Sequence, residues 1–222
     1  MMADVASPLV TVVQPRSPVS EAYRSLRTNI QFYAVDRSIQ TLLITSASPE
    51  DGKSTTLANL AVTFAETGRS VVAVDCDLRR PSLHKLFGLP NEGGLTALIR
   101  EERALGDVIL STDVPHLGIL PSGPLPPNPS ELLGSQRMER VVESLRSAAD
   151  VVLFDSPPTI SVTDAAVLGA KMDGVLLVVS VGKTKRDHVM RAKQLLERVN
   201  AKVLGVVLNN VKFDGSLYRY YG

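Results

Sequence analysis

Five short runs of the chain each hold three or more consecutive apolar residues: QTLLITS, SVVAVDCD, DVVLFDS, GVLLVVSV and KVLGVVLNN. Unbroken, β-branched runs of this kind predict strands buried on both faces. Helical periodicity fills the intervals at about 53–67, 130–148, 163–172 and 185–200. The alternation predicts an α/β fold with a mostly parallel central sheet flanked by helices. A further helix is predicted to begin with Ser17 as its cap and Pro18 as its first residue. On it Glu21, Arg24 and Arg27 recur every three residues, while Tyr23, Leu26, Ile30 and Tyr33 gather on the opposite side. That gives a core face and a charged ridge. An intrahelical ion pair contributes only ~0.2–0.5 kcal/mol, so helix stability does not account for the ridge, which reads as a solvated face or a contact surface.

Two stretches lie outside the alternation. Residues 1–16 carry two prolines and no helical period, and are expected to form a loosely held arm. LPSGPLPPNPS, Leu120 to Ser130, is expected to be an ordered surface loop or a partner-contact loop. The organisation is therefore a leader (1–16), one domain (17–212) and a C-terminal tail (213–222).

Charge and cysteine usage narrow the function. The 222 residues hold 24 basic and 23 acidic side chains, a net +1 that gives no sign of a nucleic-acid or anionic-membrane surface. A nucleotide partner stays open. Cys76 is the only cysteine, which excludes an internal disulfide and suits a reducing, cytoplasmic compartment. The longest apolar run, GVLLVVSVG, falls well short of the ~20 residues that cross a bilayer, and the N-terminus lacks a signal-peptide pattern.

The strongest chemical signal is TSASPEDGKSTT, Thr45 to Thr56, between a strand and an apolar helix. It reads as a phosphate-binding loop of A-x-x-x-x-G-K-S spacing, with Ser48, Pro49, Glu50, Asp51, Gly52, Lys53, Ser54 and Thr55 as the nucleotide-binding residues. Gly52 lets backbone approach a phosphate, and the helix N-terminus meets its charge. Lys53 would neutralise the β- and γ-phosphates, and Ser54 would offer its hydroxyl to Mg²⁺. Ala47 stands where the first glycine of the pattern usually lies, so the loop is a deviant Walker A.

Asp75 and Asp77 in VVAVDCDLRRP are two apart, so in an extended chain both point to one side. Ligands of open α/β sheets bind beyond the carboxyl ends of strands, which places both carboxylates in the crevice of Gly52 and Lys53. Asp155 in VVLFDSPP ends another strand, the usual position of an acid holding Mg²⁺ directly or through water. Any one of these could be a strand-end turn residue; three together point to a site. Asn209 and Asn210, after the last run, could touch a base or serve turn chemistry.

SASPEDGKST, VVAVDCDLR, VLFDSPP, PSGPLPPNPSELL and EAYRSLR together resemble the bacterial tyrosine kinases of capsule and exopolysaccharide synthesis, over nearly the whole chain. The resemblance implies a P-loop NTPase fold of the ParA/MinD-like type, ATP and Mg²⁺ as cofactors, and an autokinase. By it Lys53 and Ser54 hold nucleotide and metal, Asp75 and Asp77 assist metal binding and phenol activation, and Asp155 completes the Mg²⁺ site. Tyr218, Tyr220 and Tyr221 look like the family's terminal autophosphorylation cluster. The family's E-x-x-R-x-x-R segment, here Glu21, Arg24 and Arg27, lies at the subunit interface of a ring. The partners implied are further copies of the chain, a transmembrane polysaccharide co-polymerase adaptor and a protein-tyrosine phosphatase, with no nucleic acid. The location implied is the inner face of the plasma membrane, reached through the adaptor.

A phenol with pKa about 10 is protonated at neutral pH, so a carboxylate such as Asp77 would orient it and take its proton. The rival reading is a ParA- or MinD-like switch ATPase that positions cargo by nucleotide-dependent dimerisation. In that family a signature lysine lies five positions before the loop lysine, where this chain has Ser48. A third reading is a nucleotide-binding module without turnover.

Overall fold

A helix between two strands returns the chain to the same end of the sheet, which makes neighbouring strands parallel. The computed structural model, which describes residues 9–33 and 39–212, follows that rule. Ahead of the sheet lie α1 (Val10–Val13) and α2 (Pro18–Tyr33), then β1 (Thr41–Ser46), α3 (Lys53–Ala65) and β2 (Val71–Asp75). Short pieces follow: α4 (Leu83–Leu86), α5 (Leu95–Ile99), α6 (Leu105–Val108), β3 (Leu110–Ser111) and β4 (Leu117–Leu120). The chain continues through α7 (Pro129–Gly134), α8 (Gln136–Ala148), β5 (Val151–Asp155) and α9 (Asp164–Gly169). It closes with β6 (Gly174–Ser180), α10 (Arg186–Arg198) and β7 (Val203–Asn209).

The strand order is β3-β4-β2-β5-β1-β6-β7, parallel throughout except for the antiparallel β3–β4 pair. The chain leaves β1 towards β2 on one side and later reaches β6 on the other, with β5 inserted between β1 and β2. This reversal brings the carboxyl ends of β1, β2 and β5 to one crevice. Register sharpens the convergence: Asp75 lies opposite Asp155, and Asp155 opposite Ile44. Alternate residues of the central strands feed two cores, Val152 and Phe154 on one face, Val151 and Leu153 on the other.

The helix α3 is buried at every position from Thr56 to Ala65, and a helix buried all round has cover on both sides. The sheet provides one side; α2, through Ile30 and Leu26, provides the other. The described part of the leader, from Leu9 onward, joins this cover, contrary to the loose arm expected there. Leu9 is buried, and Thr11 brings both its N–H and its hydroxyl to Asn59 Oδ1, at 3.1 and 2.9 Å. The predicted cap of α2 is present, Ser17 Oγ accepting the N–H of Ser20 at 3.2 Å. Tyr33 leaves the core face predicted for it: it is half-exposed, with the Lys202 ammonium 5.0 Å from its ring centre.

Three other expectations are corrected. The single helix predicted over 130–148 breaks at Ser135, whose hydroxyl accepts Met138 N–H at 3.2 Å and starts α8 afresh. KVLGVVLNN is not buried on both faces, because β7 occupies the edge of the sheet, where Val206 and Leu208 stand exposed. The short elements between Leu83 and Leu120 were not predicted, since pieces of two to five residues hold only one or two hydrophobic periods, too few to show a repeat. Among the described residues no helix is long and apolar enough to cross a membrane.

Candidate active site

The phosphate loop is built from β1, a turn and the start of α3. Gly52 has φ +92°, in the left-handed region, and a Cβ there would lie 2.0 Å from Asn209 Nδ2. Glycine is therefore required both by the backbone and by the packing. No side chain caps α3, so its first N–H groups face the loop, positioned for an anion. The loop is braced from within by Asp51, fully buried, which accepts Ser48 N–H at 2.9 Å and the Thr184 hydroxyl at 2.7 Å. From outside, Asn209 Nδ2 donates to Asp51 O at 2.9 Å, Ser48 Oγ lies 3.0 Å from His188 Nδ1, and Lys183 pairs with Glu50 at 3.0 Å. Asn209 thus serves the loop, while Asn210 donates to Ser180 Oγ at 2.8 Å.

Lys53 stands at the centre of the charges. Its Nζ lies 3.0 Å from Asp77 Oδ2, 3.5 Å from Asp155 Oδ1 and 3.0 Å from Ser54 Oγ. Burial alone would lower its pKa, but the charges of Asp155 and Asp77 outweigh it and keep the ammonium protonated. Ser54 Oγ donates to Asp155 Oδ2 at 2.5 Å. Burial raises the pKa of Asp155, opposed by Lys53 and Ser54.

Asp75 and Asp77 share the crevice but do different work. Both oxygens of Asp75 are turned to the loop that follows β2: Oδ1 accepts Asp77 N–H at 3.2 Å, and Oδ2 accepts Ser82 and Leu83 N–H at 2.9 Å each. Burial, then the charge of Asp155, pushes the Asp75 pKa up to about 7. Asp77 keeps Oδ2 for Lys53, and its Oδ1 accepts the N–H groups of Arg80 at 2.9 Å and Arg79 at 3.3 Å. Among the described residues no three His, Cys, Asp or Glu side chains form a ready-made metal cage. Mg²⁺ needs none: it takes one or two carboxylates and completes its shell with phosphate oxygens and water, and the Ser54–Asp155 pair fits that demand.

Residues that sequence reasoning missed support this centre. Arg79 forms a two-point ion pair with the fully buried Asp164, and Ser130, from the end of the proline-rich loop, donates its hydroxyl to the same carboxylate. The arginine next to VDCD was visible in the sequence. Its partner 85 residues away was not.

The charged ridge of α2 lies apart from the catalytic centre. It is folded against the chain's own α3 more than expected: Arg24 reaches both oxygens of Glu66 at 3.1 Å as well as Glu21 at 2.6 Å, and Arg27 Nη1 donates to Thr63 O at 2.7 Å. Arg27 Nε is buried without a hydrogen-bond partner among the described residues. Tyr218, Tyr220 and Tyr221 lie outside the described residues.

Comparison with known proteins agrees with the geometry. Residues 42–219 match the CobQ/CobB/MinD/ParA nucleotide binding domain. The chain is 43% identical to tyrosine-protein kinase YwqD of Bacillus subtilis, over 96% of this chain and 91% of that one. It is 36% identical to tyrosine-protein kinase CpsD of Streptococcus agalactiae, over 91% and 88% of the two chains. Among solved structures it superposes on the kinase domain of the Escherichia coli tyrosine kinase ETK with a TM-score of 0.89 and 34% identity, covering 94% of this chain and 82% of that one.

Proposed function

The chain belongs to the bacterial tyrosine-protein kinases of the CobQ/CobB/MinD/ParA nucleotide-binding family, and from that premise we propose that it is an ATP- and Mg²⁺-dependent autokinase acting on Tyr218, Tyr220 and Tyr221. The observation that carries the reading is the Lys53 ammonium held between Asp77 and Asp155 at the open N-terminus of α3. A carboxylate opposite the loop lysine, beyond the one assigned to the metal, favours turnover over a binding-only module.

The residues divide the work. The N–H groups of the loop and Lys53 would bind the phosphates, while Ser54 and Asp155 would hold Mg²⁺, which when bound offsets charge on the transferring group. A phosphate competing for Lys53 would release Asp77 Oδ2 from its ion pair, leaving that oxygen to orient an incoming tyrosine hydroxyl and accept its proton. Asp75 holds the loop on which Asp77 rides. Because phosphoryl transfer passes through a loose transition state, positioning and charge are the main demands on the protein.

The tail tyrosines as acceptors, transfer between chains and a ring built on Glu21, Arg24 and Arg27 are supported by the family resemblance and by the LYRYYG terminus. The same resemblance supports control of capsular or exopolysaccharide polymerisation and export, an activating transmembrane adaptor, an opposing phosphatase and a cytoplasmic position beneath the membrane. The switch-ATPase alternative has less behind it, since Ser48, at the position of that family's signature lysine, is bonded to the chain's own His188. Mass spectrometry of the chain incubated with Mg-ATP, alone and with an adaptor segment, tests the proposal. Phosphate on the C-terminal tyrosines that disappears in Lys53→Met is the expected result; label that persists in that variant would overturn it.

A further inference from the structure

The near-neutral charge of the chain conceals an asymmetry. Residues 183–202 hold seven of the 24 basic side chains and two of the 23 acidic ones, so this stretch is net +5 and the remainder net −4. The fold places most of that charge on one surface. α10 buries Ala192 and Leu196 and turns Arg186, Arg191, Lys193 and Arg198 to solvent, with exposed Lys183 and Lys185 just before it. Local acids answer only part of this: Glu197 lies 3.4 Å from Lys193, and Glu50 lies 3.0 Å from Lys183. Among the described residues no ion pair engages Lys185, Arg186, Arg191 or Arg198.

Apolar side chains stand on the same face. Leu177 and Val179 pack beneath Val189 and Ala192 of α10, and their register partners on β7 are Val206 and Leu208. Registered neighbours in a sheet point to the same side, so these two share the α10 face, yet at the sheet edge, where they also border a groove lined by Val19, Tyr23 and Leu26 of α2, they are 51% and 61% exposed. Met190, on α10 itself, is 47% exposed.

We infer that this face docks on an anionic lipid bilayer. A basic surface alone would suit any polyanion, but single-stranded nucleic acid is gripped by aromatic platforms, and neither α10 nor β7 carries a Phe, Tyr or Trp, while His188 is turned to Ser48 of the phosphate loop. Aliphatic side chains set among arginines and lysines match the bilayer interface, where apolar groups enter the headgroup layer and long basic chains reach the lipid charges. Each basic side chain near such a surface contributes about a fivefold factor in binding. The inference rests on the kinase reading only in taking a membrane as the place where the chain works. It has a consequence for the site, because α10 starts beside the phosphate loop through His188–Ser48 and Thr184–Asp51. A bilayer under α10 would hold the nucleotide site within one helix length of the lipid.

Cosedimentation of the full chain with phosphatidylcholine vesicles, with and without about one-third phosphatidylglycerol, tests the inference. Binding is expected only to the phosphatidylglycerol vesicles, and to weaken as salt screens the charges. Arg186→Glu, Arg191→Glu and Arg198→Glu together should lower it about a hundredfold or more, with unchanged melting and unchanged phosphotyrosine formation on free protein. Should melting shift, the corresponding glutamine set replaces it, and its loss of binding counts equally. Absence of binding to phosphatidylglycerol, binding that survives the charge changes in a folded variant, or tighter binding to single-stranded or duplex DNA than to the vesicles would overturn the inference. Lys53→Met should lose labelling and keep vesicle binding. If the wild type never labels itself but the vesicle results hold, the kinase proposal fails and the membrane face stands.

Discussion

The Arg79 guanidinium holds the Asp164 carboxylate at two points, 2.9 and 3.1 Å, and Asp164 has no exposed surface. This pair ties the loop after β2, whose N–H groups fix Asp77, to the start of α9. Arg79→Ala would leave a buried carboxylate with the Ser130 hydroxyl as its remaining side-chain partner among the described residues. Because the arginine is partly exposed, the cost should be about 1–3 kcal/mol, below that of breaking a fully buried pair. Turnover should fall more than nucleotide affinity, since the phosphate loop is left intact. Urea unfolding, with kcat measured beside the nucleotide Kd, checks both; equal losses in kcat and affinity would remove the positioning role.

Stability of the nucleotide-free chain should depend on pH through Asp75, whose pKa is raised from an ordinary 3.8 to about 7 in the fold. Between these values the folded chain keeps a proton that the unfolded chain releases, so stability is full below about pH 4 and declines as pH rises towards 7. Above 7 this contribution is flat. Denaturant midpoints from pH 5 to 8 should show the decline, and Asp75→Asn should reduce it, leaving the part due to Asp155, whose pKa burial also raises. A slope unchanged in that variant would assign the effect to other groups.

Gly52→Ala should disable the phosphate loop. The new Cβ would lie 2.0 Å from Asn209 Nδ2 at a backbone angle that costs a non-glycine residue about 1–2 kcal/mol. Adding Asn209→Gly would relieve the collision but not the backbone strain, so only partial recovery of nucleotide binding is expected by calorimetry. Full recovery would show that packing alone demands the glycine.

Transfer between chains is tested by mixing two defective proteins. One carries Lys53→Met with its tyrosines intact; the other has a working site with Tyr218, Tyr220 and Tyr221 changed to Phe. Label on the first protein, with an adaptor segment present or absent, marks transfer in trans. If the wild type labels itself and the mixture stays blank, transfer occurs in cis.

The ridge of α2 calls for a separate measurement, because Arg24 and Arg27 already bond Glu66 and Thr63 within one chain. Arg24→Ala with Arg27→Ala should lower the assembled mass in light scattering and reduce labelling in the mixture. A melting curve must accompany it, since lost contacts with α3 cost stability by themselves. Unchanged mass would leave these arginines as purely intramolecular braces.

Strand runs, the A-x-x-x-x-G-K-S loop and strand-end aspartates were legible in the chain because each is a local pattern: periodicity, spacing and turn chemistry operate over a few residues. The convergence of Lys53, Asp75, Asp77 and Asp155 also followed, because parallel strands must present their carboxyl ends on one side. What only the tertiary structure decided depends on strand order and register, which no local pattern encodes. That Asp75 holds a loop while Asp77 meets the lysine comes from a turn that leaves the strand at Asp75. Arg79 found Asp164, and Ser48 found His188, across 85 and 140 residues. β7 has the composition of a buried strand but lies at the edge, because nothing in its own residues says whether another strand will pair beyond it. A net charge of +1 could not show the basic face of α10, since a sum over the chain discards position and the fold restores it.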